Sequence, residues 1–93
     1  MNFYARILDN AKELEKRNYK EVVLRINYII DNNIKDISII EHTLDLLLSF
    51  SFVNVDDEFN RLNNYYESVN SEYANEYKLI YKEHKDRYEW AIK

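Results

Sequence analysis

Ninety-three residues suffice for one domain and one core, and a compact chain of this length has a radius of gyration of about 12 Å. The chain contains no Gly, no Pro and no Cys, while 46% of its residues are hydrophobic and 32% charged, with a formal net charge of -4. That composition excludes glycine-built phosphate loops, dinucleotide fingerprints, thiolate zinc sites and disulfides, each of which needs a residue type that is missing.

The mean hydropathy of -0.63 leaves no apolar run long enough to span a bilayer, and the opening Met1 to Arg6 meets charge before a signal-type apolar region can form. A cytoplasmic location is the expectation. Nine Tyr, four Phe and one Trp beside many Ile and Leu give ample material to bury, so a folded domain is expected rather than disorder.

Apolar residues at Phe3, Ile7, Leu8, Ala11 and Leu14 follow the spacing of one helical face and predict a first helix. Arg17, Asn18 and Tyr19 interrupt that stripe, and Asn tolerates the left-handed conformation that ends helices, so a turn is expected there. Val22, Val23, Ile26, Ile29 and Ile30 form the next stripe, closed by Asp31, Asn32 and Asn33. The two stripes predict a helical hairpin.

Residues 34 to 50 hold the most apolar segment, with Ile39, Ile40, Leu44, Leu46, Leu47, Leu48 and Phe50, and predict a central helix. Ser38 and Glu41 match a capping box, with Asp36 as the competing N-cap. Ser49 to Val55 alternates apolar and polar but has no second strand to pair with, so it reads as a loop.

From Asp56 onward the stripe runs through Phe59, Leu62, Tyr66, Val69, Tyr73, Tyr77, Ile80, Tyr81, Tyr88 and Ala91. One unbroken helix would be about 57 Å long, too long for so small a globule. Ser68 to Ser71 is the expected break, with Asn70 as N-cap and Glu72 in the following first turn. Glu83 and Arg87 are spaced to pair on the last helix. The reading is an all-α bundle of four or five helices forming one domain over residues 1–93.

Little in the sequence supports catalysis. The Glu-x-x-His pattern of metal-binding bundles is absent, because Ile39 and Tyr81 stand three residues before His42 and His84. His42 with Asp45 amounts at most to half a site. The hydroxyls Ser38, Thr43, Ser49, Ser51, Ser68 and Ser71 mostly fall at expected caps and loops rather than beside a base. No cofactor, no metal and no enzymatic activity are expected.

Charge placement argues against nucleic acid and for protein. Residues 1–33 carry six basic and five acidic side chains, residues 34–70 two and seven, and residues 71–93 five and five. The deficit lies wholly in the middle, and no candidate recognition helix is basic. Its acidic residues, Asp36, Glu41, Asp45, Asp56, Asp57, Glu58 and Glu67, admit two readings: helix-start charge on a solvated face, or a docking surface that steers a basic protein. Most of the Tyr residues suit a core or boundary stripe, whereas Tyr65, beside Tyr66 and off the stripe, reads as an exposed interface anchor. The candidate partner-binding set is therefore Glu41, Asp45, Asp56, Asp57, Glu58, Tyr65 and Glu67.

The segment Glu13 to Val22 resembles the turn of a tetratricopeptide hairpin, present once rather than as a repeat. Taken with the Asn18-Tyr19-Lys20-Glu21 helix entry, the Leu44 to Leu48 block and Asn70 to Tyr77, the chain resembles small acidic helical immunity proteins of bacterial polymorphic toxin systems, of the Maf and contact-dependent-inhibition types. The resemblance implies a cytoplasmic inhibitor that sequesters a cognate, basic toxin. Two other readings stand beside it: a phage or mobile-element inhibitor of a host protein, and a structural or regulatory homodimer paired through Tyr73, Tyr77, Ile80, Tyr81 and Tyr88.

Overall fold

The computed structural model describes residues 3–85, with the side chains of Phe3 and Tyr4 outside the description. The expected Glu83 to Arg87 pair and the stripe positions Tyr88 and Ala91 also lie outside the described residues. Four helices follow in order: α1 (Phe3–Asp31), α2 (Ile37–Leu48), α3 (Asp56–Val69) and α4 (Ser71–Lys85). The described residues include no strand, and Ser49 to Val55 is a loop as expected.

The expected turn at Arg17 to Tyr19 is absent. One helix of 29 residues runs through it, so the chain does not begin with a tetratricopeptide-like hairpin. No Gly or Pro forces a stop, and the good helix formers Glu13, Leu14, Glu15, Lys16, Arg17 and Lys20 carry the helix across. Glu13 with Lys16 at 3.4 Å and Glu21 with Arg25 at 3.2 Å bracket the segment, each exposed and adding only a few tenths of a kcal/mol.

Helix α1 stops where the Asn residues were expected to stop it. Asn33 takes the left-handed conformation at φ 51°, and its N–H donates to the Ile30 carbonyl while that of Ile34 donates to Ile29 at 3.0 Å. These two bonds are the Schellman pattern that satisfies the last carbonyls of a helix. Helix α2 is capped by Asp36, whose carboxylate accepts from the N–H groups of Ser38 and Ile39 and from the Ser38 hydroxyl. The expected capping box is therefore not formed: Ser38 serves Asp36, and Glu41 is used elsewhere. The Ser38 hydroxyl, then the Ile39 N–H, hold the Asp36 carboxyl below its usual pKa.

Helices α3 and α4 break at Asn70 as the sequence predicts. The Asn70 side chain accepts from the Tyr73 N–H at 3.0 Å, and its backbone N–H closes α3 on the Tyr66 carbonyl. Contacts of Tyr19 with Glu58, Asn27 with Arg61 and Tyr65 with Ile34 climb both chains together, so α3 runs parallel to α1, with α2 and α4 antiparallel to them.

The core collects Val22, Ile26 and Ile29 of α1, Ile40, Leu44 and Leu47 of α2, Phe59, Leu62 and Tyr66 of α3, and Ala74 and Tyr81 of α4, closed by Phe50 and Val55 of the loop. Rings add geometry to area: Phe59 stacks on Tyr81 at 4.1 Å between centroids, and Tyr66 meets Tyr77 edge-on at 6.3 Å. Asn63 is buried at the α3 to α4 crossing, where its amide donates to the Ala74 carbonyl at 2.9 Å and its own carbonyl oxygen has no partner.

At about 43 Å, α1 is roughly twice the described length of any other helix. Its first half therefore extends past the bundle, which gives extents of 49 × 25 × 18 Å and a radius of gyration of 14.5 Å, above the value for a compact chain. Residues 5–14 are exposed throughout. The Glu15 carboxylate ties this half down, accepting the backbone N–H groups of Ser51, Phe52 and Val53 at 2.9 to 3.1 Å. Lys12 lies over the Phe52 ring at 5.5 Å to the same loop.

Candidate binding surface

Of the seven acidic residues of the middle segment, four receive a tyrosine hydroxyl from a distant part of the chain. Tyr66 of α3 donates to Glu41 at 2.6 Å, and Tyr77 of α4 donates to Asp45 at 2.9 Å. Tyr19 of α1 donates to Glu58 at 2.7 Å, and Tyr81 of α4 donates to Asp56, which also pairs with Lys85 at 3.2 Å. Bonds from a hydroxyl to a carboxylate are the stronger kind, and a carboxylate has about four acceptor positions, so each group keeps capacity for a second donor.

These pairs leave their mark on the phenols. Burial first and then Glu41 push the Tyr66 hydroxyl well above its usual pKa, and burial followed by Asp45 does the same for Tyr77. For Tyr19 the hydrogen bond to Glu58 comes first and burial second, raising it to about 12.

The predicted site residues fall into three places rather than one patch. Glu41 and Asp45 share the side of α2 that meets Tyr66 and Tyr77. Asp56, Asp57 and Glu58 form the first turn of α3, where the helix dipole favours negative charge, with Asp57 exposed and its two neighbours half-buried. Glu67 is exposed near the other end of α3, about 13 Å along the axis from Glu58. Tyr65 is not the exposed ring that its off-stripe position suggested. It is half-buried against the core and its hydroxyl donates to the Ile34 carbonyl at 2.7 Å, because α3 packs on α1 as well as on α4.

Two of the tyrosines expected to pair two chains also turn inward. Tyr81 is buried and Tyr77 half-buried, each bonded to a carboxylate of its own chain, while Tyr73 and Ile80 remain exposed. Tyr88 lies outside the described residues.

A surface that the sequence reading did not single out lies between α1 and α2. A groove of about 570 Å³ is lined by Leu24, Tyr28, Ile29, Ile39 and Thr43, with Glu21, Arg25 and His42 among its polar residues. Leu24 is 67% exposed, Tyr28 62% and Ile39 45%, which is a high share of apolar surface for one valley. The available signal was that Leu24 and Tyr28 stand one turn apart and outside the buried stripe of Val22, Ile26 and Ile29. His42 sits on this groove, exposed, and His84 places Nδ1 2.9 Å from the Ile80 carbonyl. Among the described residues no group of three or more His, Cys, Asp or Glu side chains converges as metal ligands, and no helix is long and apolar enough to cross a membrane. No protein-family model, curated protein or solved structure matches the chain.

Proposed function

We propose that this protein works without catalysis, by binding another protein, and that the partner is basic; its most specific form is an immunity or inhibitor protein that sequesters a toxin in the cytoplasm. The observation that carries the reading is the set of fixed carboxylates. Glu41, Asp45, Asp56 and Glu58 belong to a segment with a charge of -5, and each is held in place by a tyrosine from another helix. A carboxylate already immobilised loses less side-chain entropy when a partner's Lys or Arg arrives, and a negative field speeds encounter with cationic proteins. The resemblance to small acidic immunity proteins gives the reading its biological form.

The test uses variants that spare the fold. Asp56 and Glu58 anchor Tyr81 and Tyr19, so charge reversal there would damage packing as well as charge. Asp45→Asn keeps an acceptor for Tyr77, and Asp57→Asn changes an exposed group. Together they should weaken binding of the natural partner about tenfold at low salt and flatten its salt dependence. Affinity that is unchanged in the double variant, or insensitive to salt in the wild type, contradicts the reading.

A further inference from the structure

Helix α1 carries two apolar faces. One holds Val22, Ile26 and Ile29 in the core; the other holds Ile7, Leu14, Leu24 and Tyr28, exposed by 50%, 57%, 67% and 62%. At 3.6 residues per turn, these four lie within about 100° of one another, in a strip that runs about 32 Å along the helix. They sit on a heptad register: Ile7, Leu14, Glu21 and Tyr28 recur every seventh residue, with Asn10, Arg17, Leu24 and Asp31 three places later.

We infer that this strip is a self-association surface, on which α1 of a second copy lies antiparallel. The charges select both the occupant and its direction. Two such helices run antiparallel bring Leu14 of each onto Leu24 of the other, and that same register sets Glu21 of each against Arg17 of the other. A parallel pairing would instead place Glu21 on Glu21 and Arg17 on Arg17, two like-charge layers at the centre of the strip. In that register the second copy's Ile7 comes level with Asp31, about one turn beyond Tyr28, and its Asn10 comes level with Tyr28, at the end of the strip that adjoins the groove lined by Leu24, Tyr28 and Ile39. Pairing covers the overhanging half of α1 and part of that groove at once. Tyr77 and Tyr81 are engaged within their own chain and are not part of this strip.

The inference is independent of the acidic surface, so it can fail while the proposed function holds. Sedimentation equilibrium of the full chain alone is expected to show a dimer. Leu14→Glu with Leu24→Glu should convert it to monomer with helicity unchanged by circular dichroism, because both side chains are exposed. Arg17→Glu and Glu21→Arg, made singly, should each weaken the dimer by about tenfold, and the double exchange should restore it to within a few-fold. Glu21→Arg also removes the pair with Arg25, so each variant's thermal melt is recorded as a control for folding. A monomer at all concentrations overturns the inference, as does a dimer indifferent to the Leu substitutions. Failure of the double exchange to rescue the single ones overturns the antiparallel register.

Discussion

Glu15 ties the first half of α1 to the loop before α3, and removing it should be costly. Its carboxylate accepts three consecutive backbone N–H groups, from Ser51, Phe52 and Val53, with Ser51 reaching both oxygens. In Glu15→Ala the exposed Ser51 N–H rehydrates at little cost, whereas those of half-buried Phe52 and Val53 lose their acceptor in a poorly hydrated place. At about 1 kcal/mol for each, the low end of the range for a stranded donor, the loss is about 2 kcal/mol. Glu15→Gln keeps one carbonyl oxygen for the loop and should lose about half as much, at most. For a domain of this size, 2 kcal/mol corresponds to a fall in Tm of about 8 to 16 °C. Urea unfolding followed by circular dichroism should show a lower midpoint at constant slope, and hydrogen exchange should speed up at residues 51–53. An alanine variant within about 0.5 kcal/mol of wild type would refute the reasoning, because a loss that small is what an ordinary surface site gives.

Three further outcomes follow from the same geometry. Asn33 sits at φ 51°, so Asn33→Ala should destabilise by about 1 kcal/mol while Asn33→Gly stays within about 0.5 kcal/mol of wild type or improves on it; equal melts for the two variants would contradict the role of the left-handed cap. Asn63→Asp places a carboxyl in the core, opposite the Ala74 carbonyl, so the variant should be unfolded by circular dichroism at neutral pH and regain helicity in acid, where the group is neutral; full helicity at neutral pH would rule this out. The phenols of Tyr19, Tyr66 and Tyr77 hold their protons above the ordinary value of 10.0, with Tyr19 near 12. The folded state therefore binds more protons than the unfolded chain in that window. The stability these groups contribute is complete below 10.0 and is lost as pH rises through the folded values. Tyr66→Phe should reduce the alkaline slope of the urea midpoint, and an unchanged slope would show that the phenol is not a source of it.

What could be read from the sequence divides along the range of the interaction. Features set by a few neighbouring residues were legible: the stop at Asn33, the break at Asn70, and the acidic first turn of α3 at Asp56 to Glu58. The turn expected at Asn18 failed because Asn permits a helix end without requiring one. Glu15, Tyr19 and Val22 face the same side of α1 and find the loop, α3 and the core there, which favours an unbroken helix. Tyr65 was misjudged for a related reason. An offset of one residue from the stripe, about 100° around the helix, means exposure only if a helix has one neighbour, and α3 has α1, α2 and α4 around it.

The acidic segment was legible as charge and illegible as structure. Nothing local to Glu41, Asp45, Asp56 or Glu58 indicates that tyrosines 25 to 39 residues away will donate to them. The abundance of Tyr in the last third was the available sign, read as a ring stripe without an assignment for its hydroxyls. The exposed strip on α1 was hidden in a different way: Ile7 and Leu14 were read with Phe3, Leu8 and Ala11 as one helical face, and only the length of α1 past the bundle shows that no core reaches them.

The central claim is that these fixed carboxylates serve a basic protein partner. It is tested most directly by affinity capture with the full chain from a lysate of its native source, with the stoichiometry and identity of the co-eluting protein measured. The account predicts one basic protein at a fixed molar ratio, released by salt and retained less by the Asp45→Asn, Asp57→Asn variant. Recovery of the bait alone, or of an acidic protein held equally well by wild type and variant, would contradict it.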